Sequence, residues 1–137
     1  MNSKMNQMKI VKLQLLILFL TLSLNSCNKS THEGFKHTYL VEEICVDTRY
    51  GELPKTEYEI KFYEKKKSLF FDLPIRNVYG IEVFINCDET FSFTAYDQTI
   101  DISGYGGFGI DNSLYMHYKC NNHDFMADCK CNGKRIQ

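Results

Sequence analysis

The chain has 137 residues, 44% of them apolar and 14% aromatic, with 16 basic against 17 acidic side chains, six cysteines and no tryptophan. That length holds one modest domain rather than two. A near-neutral chain without a basic stripe gives no phosphate-backbone partner a footprint, so a nucleic-acid binder is not expected.

The first residues carry Lys9 and Lys12 ahead of an apolar run from Leu13 to Leu24 that includes Gln14, Thr21 and Ser23. A helix needs about 20 mostly apolar residues to cross a ~30 Å hydrocarbon core. The run is shorter and has the order of a secretory signal: cationic flank, short apolar helix, then a small residue, Ser26. Leu24-Asn25-Ser26-Cys27 resembles the lipobox of bacterial lipoproteins. The resemblance implies cleavage before Cys27, a thioether to diacylglycerol on its sulfur and acylation of its new amine. Several acyl chains, at ~0.8 kcal/mol per buried methylene, hold a protein to a bilayer where one would not. The absence of Asp at position 28 implies, by the same resemblance, passage to the outer membrane.

Residues 1–26 are thus expected to be the signal, 27–34 a polar tether and 35–137 a single domain. The leader holds Lys4, Lys9 and Lys12 and no acid, so the exported part carries 13 basic and 17 acidic side chains, near −4. Lys65-Lys66-Lys67 reads as a hairpin tip.

Downstream, apolar residues alternate with polar ones and show no sustained helical period. The first strand, Thr38 to Thr48, places Leu40, Ile44 and Val46 on one face, with Glu42 breaking the pattern. Arg49 to Pro54 is turn-rich. Tyr58, Ile60 and Phe62 answer Leu69, Phe71 and Leu73 across a loop at Glu64–Lys67, setting Phe62 opposite Leu69. Pro74 to Gly80 reads as an irregular connection. Ile81, Val83 and Ile85 then face Phe91, Phe93 and Ala95. A turn at Asp97-Gln98 would set Phe93 against Ile102. The unbroken parity of Ile100, Ile102, Gly104, Gly106, Phe108 and Ile110 predicts one bent strand, glycine sitting where a neighbour comes close. Turns at Asp111–Ser113 and Asn121-Asn122 would put Phe108 against Met116 and Tyr118 against Phe125. The expected fold is all-β: an antiparallel eight-stranded meander forming an up-and-down barrel or a sandwich, closed first strand to last so that no edge is bare.

Tyr63, Phe70 and Phe84 point outward in this scheme and mark a covered or binding surface on the second to fourth strands; Tyr105 is a further exposed candidate. In an exported domain the default use of Cys45, Cys87, Cys120, Cys129 and Cys131 is in disulfides. Simple alternation of strands pairs Cys45 with Cys120, and Cys87 with Cys129 or Cys131. His117, Cys120, His123, Cys129 and Cys131 match no standard zinc spacing, so neither metal nor cofactor is expected. Ser103-Gly104-Tyr105 lacks the hydrolase elbow, no glycine-rich phosphate loop opens a helix, and no catalytic residue is assigned.

The whole resembles small envelope lipoproteins with one β-rich domain. Lipocalin-like lipoproteins share the meander, which implies a carrier of a small apolar ligand. Periplasmic lysozyme inhibitors share the tethered barrel and a loop with a serine-glycine pair, similar to Ser103-Gly104, which implies a protein partner. A barrel filled with rings would exclude the carrier; an open one would favour it.

Overall fold

A computed structural model describes residues 32–86, 88–96 and 98–137. The signal, the expected lipidation at Cys27 and the pairing of Cys87 lie outside the described residues. A 3-10 turn at His32–Phe35 leads into β1 (Thr38–Asp47), β2 (Gly51–Glu52), β3 (Thr56–Lys65) and β4 (Ser68–Leu73). A second 3-10 turn, Pro74–Arg76, leads into β5 (Val78–Ile85), β6 (Thr90–Tyr96), β7 (Asp101–Phe108), β8 (Ser113–Asn122) and β9 (Phe125–Arg135). β1 pairs antiparallel with both β2 and β3, successive strands from β3 to β9 pair antiparallel, and β1 also pairs with β9 from Tyr39↔Arg135 to Asp47↔Ala127. That last pairing closes an eight-stranded up-and-down barrel. The short β2 folds back on the end of β1 at Val46 and Asp47.

The alternating sequence has the consequence that rings fill the interior. Phe62 of β3 lies 5.3 Å from Phe71 of β4, 5.7 Å from Phe91 of β6 and 5.1 Å from Phe108 of β7, between ring centroids. Phe71 meets Phe93 edge-on at 4.9 Å, and Phe93 reaches Tyr118 of β8. Contacts between rings on five strands mean that the barrel axis is occupied by side chains. Offset and edge-on pairs of this kind contribute about 0.5–1.5 kcal/mol each beyond burial.

Asp101–Phe108 is one unbroken strand as expected, though without Ile100 and Ile110, and its glycines make room for those rings. A Cβ on Gly104 would stand 2.7 Å from the Phe93 ring and 2.6 Å from Tyr118 Cβ; one on Gly106 would stand 2.5 Å from the Phe91 ring.

The face of β1 is the reverse of expectation. Tyr39, Val41, Glu43, Cys45 and Asp47 are buried, while Leu40, Ile44 and Val46 are 37%, 39% and 49% exposed. Two acids on the inward parity, Glu43 and Asp47, made the outward parity look the more apolar.

Register also differs, always by an even number. The β3–β4 turn is only Lys66-Lys67, both at positive φ (51° and 68°), so Phe62 faces Phe71 rather than Leu69. Two positive-φ residues are what the right-handed twist of a two-residue hairpin demands. Phe93 faces Gly104, Phe108 faces Leu114 and Tyr118 faces Cys129, the last turn being His123-Asp124. An even slip leaves every side chain on its original face, so hydrophobic alternation cannot detect it. The connection after Pro74 is shorter than expected, because the 3-10 turn ends at Asn77 in the left-handed region and β5 begins at once.

Candidate binding surface

The outward aromatic residues fall into two groups rather than one cluster. Tyr63 and Phe70 are cross-strand partners on β3 and β4 with stacked rings 6.1 Å apart. Tyr63 donates its hydroxyl to Asp72 Oδ1 at 2.9 Å, and the same oxygen accepts the Gly80 N–H at 2.8 Å. Phe84 (58% exposed) and Tyr105 (56% exposed) stand in a second row, with Ser92 between them. Tyr105 is held in place: its hydroxyl lies 2.9 Å from His117 Nδ1, and His117 Nε2 meets Asp128. In the neutral ring, with Asp128 accepting from Nε2–H, Nδ1 is left to accept the tyrosine proton. Three strands thus fix one exposed ring, which lowers the entropy it has to lose on contact.

Between these groups the barrel wall parts. The β4–β5 register shifts between Phe71 and Leu73, and Gly80 opposite Asp72 takes φ +69°. A bulge bends a strand and increases its twist. Beyond it, β5 and β6 pair only from Val83↔Phe93 to Ile85↔Phe91. Val78–Glu82 and Thr94–Tyr96 have no ladder joining them, and a groove of about 480 Å³ opens at the seam. Phe70, Tyr79, Glu82, Thr94 and Tyr96 line it, Tyr79 being 64% and Tyr96 85% exposed. Of the expected surface residues, Phe70 belongs to this groove. Tyr79 and Tyr96 were missed because both sit beside turns and show no alternation.

Inside one end of the barrel lies a second feature that sequence reasoning missed. Glu43, 1% exposed, accepts the Tyr58 hydroxyl on Oε2 at 2.6 Å and the Arg76 Nη2 on Oε1 at 2.6 Å. Tyr118 also donates to Oε2, and Cys131 Sγ lies 3.5 Å from it. Burial, reinforced by neighbouring charge, pushes both phenols far above the ordinary tyrosine value and the Cys131 thiol up to about 12. Protonated phenols are donors, which is what a buried carboxylate requires. The signal for this cluster was the shared parity of Glu43 and Cys45 on β1.

The disulfide joins Cys45 to Cys129, which face each other across the β1–β9 closure. The expected Cys45–Cys120 pairing is therefore wrong. Cys120 faces Ala127 instead, one strand removed from β1, and Cys120 and Cys131 are buried free thiols. Staggered strands of unequal length defeat any assignment by barrel end: Cys129 sits in the middle of β9 and still meets the far half of β1. The sulfurs of Cys45 and Cys129 with Glu43 form a compact group of ligand-type atoms. Arg76 Nη2 occupies its centre, 3.0 Å from Cys45 Sγ and 3.4 Å from Cys129 Sγ, so the guanidinium already supplies the positive charge there. Ser103-Gly104-Tyr105 is mid-strand in β7, not in a displayed loop, which removes the likeness to the lysozyme-inhibitor loop.

No family model matches the chain, and no curated protein matches it. A solved structure does: a protein of unknown function from Bacteroides ovatus, with a TM-score of 0.52 and 12% identity. The match covers 74% of this chain and 41% of that one, so this chain spans less than half the length of its structural neighbour. At that identity the likeness is one of fold.

Proposed function

We propose that this protein is a lipid-tethered component of the bacterial envelope, anchored through Cys27 at the outer membrane, whose barrel is a non-catalytic binding module. The binding part rests on one contrast. Phe62, Phe71, Phe91 and Phe93 fill the interior at 1% exposure or less, while Phe84, Tyr79, Tyr96 and Tyr105 stand at 56–85% exposure outside. The inner rings fill the barrel with side chains rather than opening it around a ligand, and the outer ones are of the kind that serve as interface anchors. The lipocalin-like carrier loses its support on the same ground. Anchoring rests on the Leu24-Asn25-Ser26-Cys27 pattern.

Both halves are tested in cells. Cys27→Ser is expected to move the protein from the membrane to the soluble fraction, and unchanged fractionation would refute the anchor. A photoreactive residue at position 84 is expected to give a discrete cross-linked species that the same residue at position 134, four strands round the barrel on β9, does not, and one at 105 a species that position 59 on β3 does not. Equal labelling from both sides would refute the binding face.

A further inference from the structure

The reading of this barrel as a binding module leaves open what it binds, and the seam between β5 and β6 narrows the answer. Its two margins are strand backbone: Val78–Glu82 on one side and Thr94–Tyr96 on the other, neither continuing the ladder that ends at Val83↔Phe93. A strand margin without a partner presents N–H and C=O groups at the two-residue repeat of an extended chain, the arrangement to which peptide strands add. We propose that the seam receives a short extended segment of a partner polypeptide, which pairs with these margins and completes the wall.

Three observations fix the chemistry of that segment. The unpaired margins are three and five residues long, so the contact is a few residues rather than a whole strand. Tyr79, Tyr96 and Phe70 give the groove aromatic sides, which suit β-branched or other apolar side chains at alternate positions. Glu82 is the one charged residue lining the groove among the described residues, so a basic side chain between the apolar ones is favoured. A sugar or lipid headgroup would leave the regularly spaced backbone groups unanswered.

The test uses the full chain in detergent and the peptide acetyl-Val-Lys-Val-Thr-Val-amide, followed by hydrogen exchange. In the free protein those amides of 78–82 and 94–96 that face the seam, rather than β4 or β7, are expected to exchange faster than those of the β8–β9 ladder. Saturating peptide should slow exchange in both stretches by about tenfold or more. The same peptide N-methylated at alternate residues, which loses backbone donors but keeps its side chains, should have no effect. Tyr79→Ala and Tyr96→Ala, at exposed positions that the fold does not need, should each weaken the protection.

Amides in the free seam that exchange as slowly as β8–β9 would overturn the proposal, and so would equal protection by the N-methylated peptide. Protection that rises with protein concentration alone would identify a second copy of this chain as the occupant, and overturn it too. A cross-link from position 84 or 105 with no peptide effect at the seam would overturn the proposal but leave the binding module standing. Loss of the cross-links as well would refute both.

Discussion

Arg76, at the end of a three-residue 3-10 turn, reaches into the barrel and donates to Glu43 of β1 at 2.6 Å. The two come from segments 33 residues apart, and the pair welds the β4–β5 connection to the closing strand. Glu43 has 1% of its side chain exposed and Arg76 15%. Removing one partner of such a pair leaves a buried charge unmatched and costs about 3–5 kcal/mol. Glu43→Ala and Arg76→Ala should each lower stability on that scale in urea unfolding. Glu43→Leu combined with Arg76→Met should recover only part of the loss, because it removes the stranded charge but leaves the Tyr58 and Tyr118 hydroxyls without their acceptor.

The Cys45–Cys129 bridge closes a loop with a sequence separation of 84. Cross-links of this kind contribute about 2–4 kcal/mol, mainly by restricting the unfolded chain. Non-reducing peptide mapping should recover Cys45 joined to Cys129. In the native protein Cys120 and Cys131 should resist alkylation, since both are buried and burial raises both thiol pKa values. Rapid native labelling of either would contradict the packing.

Lys66 and Lys67 hold left-handed conformations at the β3–β4 turn. A side chain costs roughly 1–2 kcal/mol per residue in that region, less for Asn and least for Gly. Lys66→Asn with Lys67→Gly should raise the unfolding midpoint, with a gain of about 1 kcal/mol. A loss would mean that the lysines make contacts beyond the turn.

Three aspartates pin turns, and all three have lowered pKa values. Asp47 is held down first by the Arg49 N–H, Asp88 by the Thr90 hydroxyl and Asp111 by the Ser113 hydroxyl. A carboxylate whose folded pKa lies below its unfolded one stabilises the fold fully above the unfolded value. That stabilisation is lost as pH falls through the folded value. Urea midpoints should therefore be flat near pH 5–6 and decline below about pH 4. Asp47→Asn, which keeps an acceptor for the Arg49 and Tyr50 amides, should flatten part of that decline.

Side-chain parity made most of the barrel readable in advance. Ile60, Phe62, Phe71, Phe91, Phe93 and Tyr118 all face inward as their alternation requires. What alternation cannot convey is position along the strand, so pairs such as Tyr118 with Cys129 were misplaced while their faces were right. The disulfide suffered for that reason, since a bridge depends on register as well as face. The inward acids of β1 were missed on other grounds: Glu43 is admissible in the core only because Tyr58, Tyr118 and Arg76, distant in sequence, converge on it. The seam depends on a bulge at Gly80, which pattern counting passed over as irregular loop.

The closure of β1 on β9 also sets a timetable. Because the first strand of the barrel takes the last as its neighbour, one flank of β1 stays bare until β9, about ninety residues further along the chain, has arrived and docked. Through that interval Leu40, Ile44 and Val46 lie beside an open edge, the setting in which strands join the wrong chain. A holding chaperone that shields the unfolded segment would protect this protein chiefly there, and its withdrawal should send chains that have yet to close into aggregates seeded from their front half.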